Sequence, residues 1–207
     1  MPLRHEQAIL VFAKYPTPGR VKTRLAATLG ADQAAQIYRQ LVAHVFARLP
    51  TDADVLVFFD PPEQEREIAT WLGEFRADLT FFPQASGDLG ARLENAFSIA
   101  FGCGYARAAV IGTDCVELQP ATFAEAWRAL GEDEVAVGPT DDGGYYLLAL
   151  RAQQPAVFQG IAWSTSEVIQ QTLARAAEAG LSVHLLPQLA DVDTEDDWLR
   201  AQSRLQS

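Results

Sequence analysis

Two kinds of hydrophobic pattern alternate along this chain. Seven short runs, Ala8–Ala13, Val55–Phe59, Leu79–Phe82, Ala108–Ile111, Val135–Val137, Tyr145–Leu150 and Val183–Leu186, are rich in β-branched and aromatic residues and have the length of buried strands. Between most of them apolar positions recur at helical spacing: Asp32–Arg48, where Ile37, Leu41, Val45 and Leu49 stand four residues apart, then Gln64–Leu72, Leu89–Phe101, Ala121–Leu130 and Ser166–Ala179. Boundary residues agree with this division. Asp88 is placed to cap a helix opening at Leu89, Pro120 suits a first helical position, Ser164 with Glu167 has capping-box spacing, and Gly180 suits a left-handed helix end. The alternation predicts a three-layer α/β/α fold, with helices on both faces of a mostly parallel twisted sheet. The Gly-rich link before Tyr145–Leu150 is too short for a parallel crossover, so one strand should be antiparallel. With no repeat, low-complexity tract or long linker, residues 1–207 read as one domain.

Composition then narrows the classes of function. The chain has 207 residues, 49% of them hydrophobic, enough for a substantial core. Its formal net charge of -11 opposes general attraction to nucleic acid or anionic lipid, so any anion must be caught locally. No apolar run approaches the roughly 20 residues of a membrane span, and Met1–Gln7 lacks a signal-peptide core. Two cysteines, Cys103 and Cys115, make no disulfide framework. The expected setting is the cytoplasm, with reduced thiols.

Against that acidity stands the stretch "FAKYPTPGRVKTRLA". Lys14, Arg20, Lys22 and Arg24 are four of the sixteen Lys and Arg residues, and no acidic residue lies between Glu6 and Asp32. Open α/β sheets bind ligands beyond the carboxyl ends of their strands, where this loop falls. Pro16, Pro18 and Gly19 turn the backbone, and Lys22, Thr23 and Arg24 lie where a helix would begin, so N–H groups and cationic side chains can converge on a polyphosphate. The alternative is a solvated basic turn. It is not a P-loop, because GxxxxGK[ST] is absent.

The same rule selects four acidic or Gly-rich loops. Asp114 sits at the tip of the fourth strand, and Asp191 and Asp193 end a later segment on that edge. Asp114 and Asp193 suit Mg²⁺ or Mn²⁺, which needs one or two carboxylates plus phosphate oxygens and water; alternatively, Asp193 and Thr194 only cap the "EDDWLRAQ" helix and Asp114 forms a turn. In "GPTDDGGYY", Asp142 can accept hydrogen bonds from hydroxyls or act as a base, with Gly143, Gly144 and Tyr145 beside it. An ordinary hairpin turn is the alternative there. Gly87, Asp88 and Gly90, with Arg92 one turn inside the helix, either line a nucleobase or ribose pocket or form a plain helix start. Trp163, next to Ser164, either closes over a ligand or packs in the core. The three histidines lack ligand spacing, no GxSxG occurs, and "GCGYAR" precedes a strand instead of following one, which disfavours zinc, nucleophilic-hydrolase and dinucleotide chemistry.

Six stretches, "FAKYPTPGRVKTRLA", "GDLGARL", "VIGTDC", "GPTDDGGYYLLAL", "WSTSEV" and "DVDTEDDW", occur in an order that resembles the GT-A, or nucleotide-diphospho-sugar transferase, superfamily. Within it the chain is most similar to a group of small bacterial glycosyltransferases associated in part with arsenosugar biosynthesis. The resemblance implies a GT-A fold, a nucleotide-linked donor and a divalent metal. It places Lys14, Arg20, Lys22 and Arg24 on donor phosphates, Asp114 on metal and Asp142 to Tyr145 near the acceptor, with Asp193 of the D-x-D-T-x-x-D ending assisting the metal. "TDC" offers one acid where many GT-A glycosyltransferases have DxD, as nucleotidyltransferases do, and "VKTRLA" also resembles 2-phospholactate guanylyltransferases. Val116 stands where the family usually has proline. The expected activity is therefore glycosyl transfer from an NDP-sugar to a small acceptor. Nucleotidyl transfer from an NTP, releasing pyrophosphate, is the alternative, and an inactive nucleotide-binding protein of the same fold is a second.

Overall fold

A computed structural model describes residues 3–205. Seven strands, β1 (Gln7–Lys14), β2 (Asp54–Asp60), β3 (Leu79–Pro83), β4 (Arg107–Ile111), β5 (Val135–Pro139), β6 (Tyr145–Leu150) and β7 (Val183–Leu185), join one sheet in the order β3-β2-β1-β4-β6-β5-β7. All pairings are parallel except those of β6, which runs against both β4 and β5. The helices are α1 (Thr23–Leu29), α2 (Ala31–Ala47), α3 (Glu65–Gly73), α4 (Leu89–Gly102), α5 (Pro120–Ala129), α6 (Val168–Glu178) and α7 (Glu195–Leu205), with 3-10 turns at Pro62–Gln64 and Pro155–Phe158.

Burial on both faces explains why the strands read as unbroken apolar runs. Along β1, Ile9, Val11 and Ala13 enter one core while Ala8, Leu10 and Phe12 enter the other. From β1 the chain moves outward through β2 and β3, then returns to place β4 on the opposite side of β1. The carboxyl ends of β1 and β4 therefore flank a topological switch point, the usual crevice of an open α/β sheet. A third, smaller core lies under that crevice. Leu25, Ala34, Ile37, Leu41, Val116, Val192 and Trp198 pack together, so α1, α2, the loop after β4 and the segment leading into α7 are fastened to one another. Val116, the position that departs from proline, is a buried member of this cluster.

Several boundary expectations hold. The Asp88 carboxylate accepts from the Ala91 N–H at 2.9 Å, and Pro120 occupies the first turn of α5. Gly180, at φ 71°, ends α6 with a Schellman pair of bonds, Gly180 N–H to Ala177 O and Leu181 N–H to Ala176 O. The capping box at Ser164 and Glu167 does not form. Ser164 takes a left-handed φ of 65°, the Thr165 hydroxyl turns to the Ala162 carbonyl, and Glu167 accepts from Gln171 instead. The helix expected from Ser166 starts at Val168, and its early Ile169 N–H donates to the carbonyl of Gly143 in the β5–β6 turn. Strand β7 also ends one residue early, at Leu185. The short helix α1 was foreshadowed only by its start at Lys22–Arg24.

Candidate active site

The crevice beyond β1 and β4 has two halves. One, of about 440 Å³, is lined by Lys14, Arg20, Lys22, Thr23 and Arg24 from the first loop, Gln84, Leu89 and Arg92 from the β3–α4 region, and Thr113 and Asp114 after β4. The other, of about 570 Å³, is lined by Thr140, Asp142, Gly144, Tyr145, Trp163, Ser164 and Asp191. Arg24, Leu89, Asp114 and Asp193 border both halves, so the amino-terminal cations and the downstream aspartates share one crevice. Each half has the size of a small-molecule site.

Lys22 joins the two sets directly. It adopts a left-handed backbone, φ 47° and ψ 51°, at the head of α1, and its ammonium lies 2.9 Å from Asp114 Oδ1 and 2.9 Å from Asp193 Oδ1. The side chain is only 4% exposed. Asp193 receives a hydrogen bond from it, whereas the approach to Asp114 Oδ1 is off-angle and leaves that buried oxygen without one. Arg24, 67% exposed, closes on Asp193 Oδ2 at 3.2 Å. Burial pulls the Lys22 ammonium toward losing its proton, but Asp114 and Asp193 outweigh burial and hold it charged well above the ordinary lysine range. Lys22 is thus turned toward carboxylates, while Lys14, Arg20 and Arg24 are the exposed cations.

Asp193 is free for this because its neighbours cap α7. The Asp197 N–H reaches Thr194 Oγ1, and Asp197 Oδ2 accepts from the Thr194 N–H at 2.8 Å and from the Asp193 N–H at 3.2 Å, a reciprocal box. Burial alone would raise the Asp197 carboxyl; the Thr194 and Asp193 donors more than offset it and hold it low. The Val192 N–H donates to the Asp114 carbonyl, locking the two acid-bearing loops side by side. Asp191, by contrast, has its carboxyl pushed up to about 7 by burial and then by the negative charge of Asp114.

Tyr38 and His44, on α2, hold this arrangement from below. The Lys14 N–H donates to the Tyr38 hydroxyl at 2.9 Å, and the Thr113 hydroxyl meets it at 3.3 Å, which fixes the end of β1 to the tip of β4. Burial, then the nearby Asp114 charge, pushes the Tyr38 phenol up to about 12. His44 Nε2 contacts the Val116 carbonyl at 2.9 Å while Nδ1 faces Arg48 at 3.0 Å, so the ring is neutral with its proton on Nε2. The signal for Tyr38 was a hydroxyl on the apolar stripe of α2, since a buried phenol requires a partner.

Elsewhere the expectations divide. Asp142 Oδ1 accepts from the Thr140 hydroxyl at 2.5 Å and the Gly144 N–H at 3.0 Å, so the segment is a hairpin turn that also presents a carboxylate to the crevice. Gly143 does not face a ligand: with φ 87°, it presses on the backbone of Ser166, where any Cβ would collide. Gly90 likewise is glycine because Trp163 Nε1 and the Phe158 carbonyl lie 2.7 and 2.8 Å from where a Cβ would stand. Neither Gly87, Asp88 nor Gly90 lines the crevice, and the Asp88 carboxylate is spent on its cap. Gln84 and Arg92 take that wall, joined by Arg92 to Gln84 Oε1 at 3.1 Å and braced by Gln84 Nε2 on the Phe58 carbonyl. Trp163 stands edge-on to Tyr145, centroids 6.4 Å apart, with both rings on the second half.

A metal must be weighed against this donor set. Among the described residues no group of three or more His, Cys, Asp or Glu is arranged to hold an ion. Asp114 and Asp193, within reach of one ammonium, fit an ion that also takes phosphate oxygens and water, and do not fit one held by protein alone.

Residues 25–165 match the family model described as "Uncharacterized protein conserved in bacteria (DUF2064)". The chain belongs to this family. A candidate nucleotide-diphospho-sugar transferase from Desulfovibrio desulfuricans G20 is similar at 32% identity and TM-score 0.86, covering 98% of this chain and 97% of that one. The fold alone is shared with a 4-diphosphocytidyl-2C-methyl-D-erythritol synthase from Anaerococcus prevotii DSM 20548, at 10% identity, TM-score 0.64 and coverage of 97% and 96%. It is shared equally with a nucleotidyl transferase from Methanothermobacter thermautotrophicus, at 15% identity, TM-score 0.62 and coverage of 97% of each chain. No curated protein matches the chain in sequence. The DUF2064 chain is thus an α/β protein of the nucleotide-diphospho-sugar transferase type.

Proposed function

We propose that this DUF2064 protein is a transferase acting on a nucleotide-linked donor, and that the group transferred is a sugar. The observation that carries this reading is the polarity of the crevice: exposed Lys14, Arg20 and Arg24 on one half, carboxylates on the other, meeting at Asp114 and Asp193. The basic half would hold a diphosphate, with Gln84 and Arg92 against the nucleoside. Mg²⁺ or Mn²⁺, when bound at Asp114 and Asp193 with the diphosphate, would stabilise the charge that develops on the leaving nucleoside diphosphate. Lys14, Arg20 and Arg24 act in the same sense from the other side.

The second half supports a neutral, hydroxyl-bearing acceptor. Among the described residues Asp142 and Asp191 form no ion pair, and Arg24 is the one cation on that wall, so a phosphorylated or carboxylate acceptor would meet repulsion. Trp163 and Tyr145, set nearly at right angles, bring aromatic surface to this half, against which the apolar face of a sugar or similar polyol would pack. Asp142, fixed by Thr140 and Gly144, would orient the acceptor hydroxyl, and Asp142 or Asp191 would receive its proton as it attacks the anomeric carbon.

Nucleotidyl transfer is the second reading, favoured by the lone acid Asp114 at the β4 tip and by the shared fold of the cytidylyl and nucleotidyl transferases. The products separate the two. Incubation with Mg²⁺, a panel of NDP-sugars, a panel of NTPs, and neutral polyol or phosphorylated acceptors should release free NDP with a neutral acceptor; release of pyrophosphate, and only with a phosphorylated acceptor, would replace glycosyl by nucleotidyl transfer.

A further inference from the structure

The Lys22 ammonium occupies the space between the two carboxylates that a divalent ion would bridge. We propose that Lys22 plugs the Asp114–Asp193 pair, excluding a bare divalent cation from the free protein, so that an ion enters only together with a polyanion that gives the ammonium a new partner. This rests on the diphosphate reading above and adds a rule for the order in which its ligands bind.

Charge balance is the first support. Asp114 and Asp193 face Lys22 and Arg24, two carboxylates against two cations, so each acid already has a cationic partner. A bare Mg²⁺ must displace these cations and evict the ammonium of a side chain that is only 4% exposed. A diphosphate reverses both penalties. Its oxygens would accept from the displaced Lys22, and its negative charge would offset that of the ion held with Asp114 and Asp193.

Backbone geometry is the second support. Lys22 is one of two non-glycine residues with positive φ among those described, a conformation that is strained in a side-chain-bearing residue. Here it turns the side chain under the loop and onto the acids. That strain is held by the two ion pairs and by Leu25, fully buried in the small core directly after the turn. Losing the ion pairs therefore removes one of the two restraints on the turn and leaves the side chain free to take a new partner.

The test is Mn²⁺ binding to the free protein, read by electron paramagnetic resonance of unbound Mn²⁺. The wild-type chain should show no binding that depends on Asp114. Lys22→Met and Lys22→Gln, which remove the charge and keep the length, should gain a site at least about tenfold tighter than any in wild type, and adding Asp114→Asn should abolish the gain. Equal Mn²⁺ affinity in wild type and both variants would overturn the proposal. So would wild-type binding that Asp114→Asn removes, a comparison that needs no Lys22 variant to fold. Because no nucleotide is present, a failure of UDP, GDP, ADP or CDP to bind would sink the diphosphate reading without touching this result.

Discussion

Removing the Lys22 charge should cost far more stability than removing any exposed cation of the same loop. In Lys22→Met two carboxylates face one another with only Arg24 left between them and solvent. Breaking a fully buried pair costs about 3–5 kcal/mol, whereas exposed pairs contribute about 0–1 kcal/mol. Lys22 is 4% exposed, but Asp114 and Asp193 are 37% and 35% exposed, and water reaches their outer edges. The expected loss therefore lies between the two limits, about 2–3 kcal/mol, small enough for a protein of ordinary stability to stay folded. Urea unfolding at pH 7 of wild type, Lys22→Met, Asp193→Asn and the double variant supplies the assay. The double variant should be less destabilised than the sum of the singles by about 1 kcal/mol or more, because neutralising Asp193 relieves the repulsion that Lys22→Met creates. Arg24→Ala should change stability by less than about 1 kcal/mol. A Lys22→Met protein within about 0.5 kcal/mol of wild type, or strictly additive losses, would refute the buried bridge.

Three further outcomes follow from the packing. Leu25→Ala, emptying a fully buried position in the core beneath the crevice, should cost about 2–5 kcal/mol in urea unfolding and weaken nucleotide binding as well; a stability loss with unchanged nucleotide affinity would mean that this core does not align the site. Gly143→Ala should cost about 2 kcal/mol or more, since it combines a positive φ with a collision against Ser166, and wild-type melting behaviour would contradict the assigned turn. His44 is held below the ordinary histidine pKa, chiefly by burial and then by Arg48, against the pull of the Val116 carbonyl. With the folded value depressed, its contribution is full above the unfolded value of about 6.5 and is lost as pH falls through the folded one. The wild-type urea midpoint should therefore fall more steeply below pH 6.5 than that of His44→Gln, and parallel pH profiles would show that the ring accepts a proton without penalty.

Strand positions were legible because burial on both faces turns each strand into an apolar run, as in Ala8–Ala13 and Tyr145–Leu150, and because the short Gly-rich link forces β6 to reverse. Asp88 and Gly180 were legible because caps are decided within four residues. Ser164 misled for the same reason in reverse: Thr165 lies beside it with an equivalent hydroxyl, and spacing alone does not choose between them. Gly90 and Gly143 suggested ligand contact, yet what approaches them is Trp163 and the Ser166 backbone, segments distant in sequence. The union of Lys22 with Asp193, 171 residues apart, lay beyond any local pattern. The loop rule for open sheets brought both to one edge, but it could not say that Lys22 would turn inward while Arg20 stayed exposed. That difference is set by the left-handed turn at Lys22 and the anchoring of Leu25 just after it.

The claim that matters most is that the first-loop cations grip a nucleoside diphosphate in the crevice beside Asp114 and Asp193. Calorimetric titration of UDP, GDP, ADP and CDP with Mg²⁺ into wild type, Arg20→Ala and Arg24→Ala measures it directly. The account predicts that at least one nucleotide binds and that each substitution weakens it by about 1.5–3 kcal/mol, the scale of a charge-assisted hydrogen bond. Absence of binding by all four, or an affinity that both substitutions leave unchanged, would contradict it.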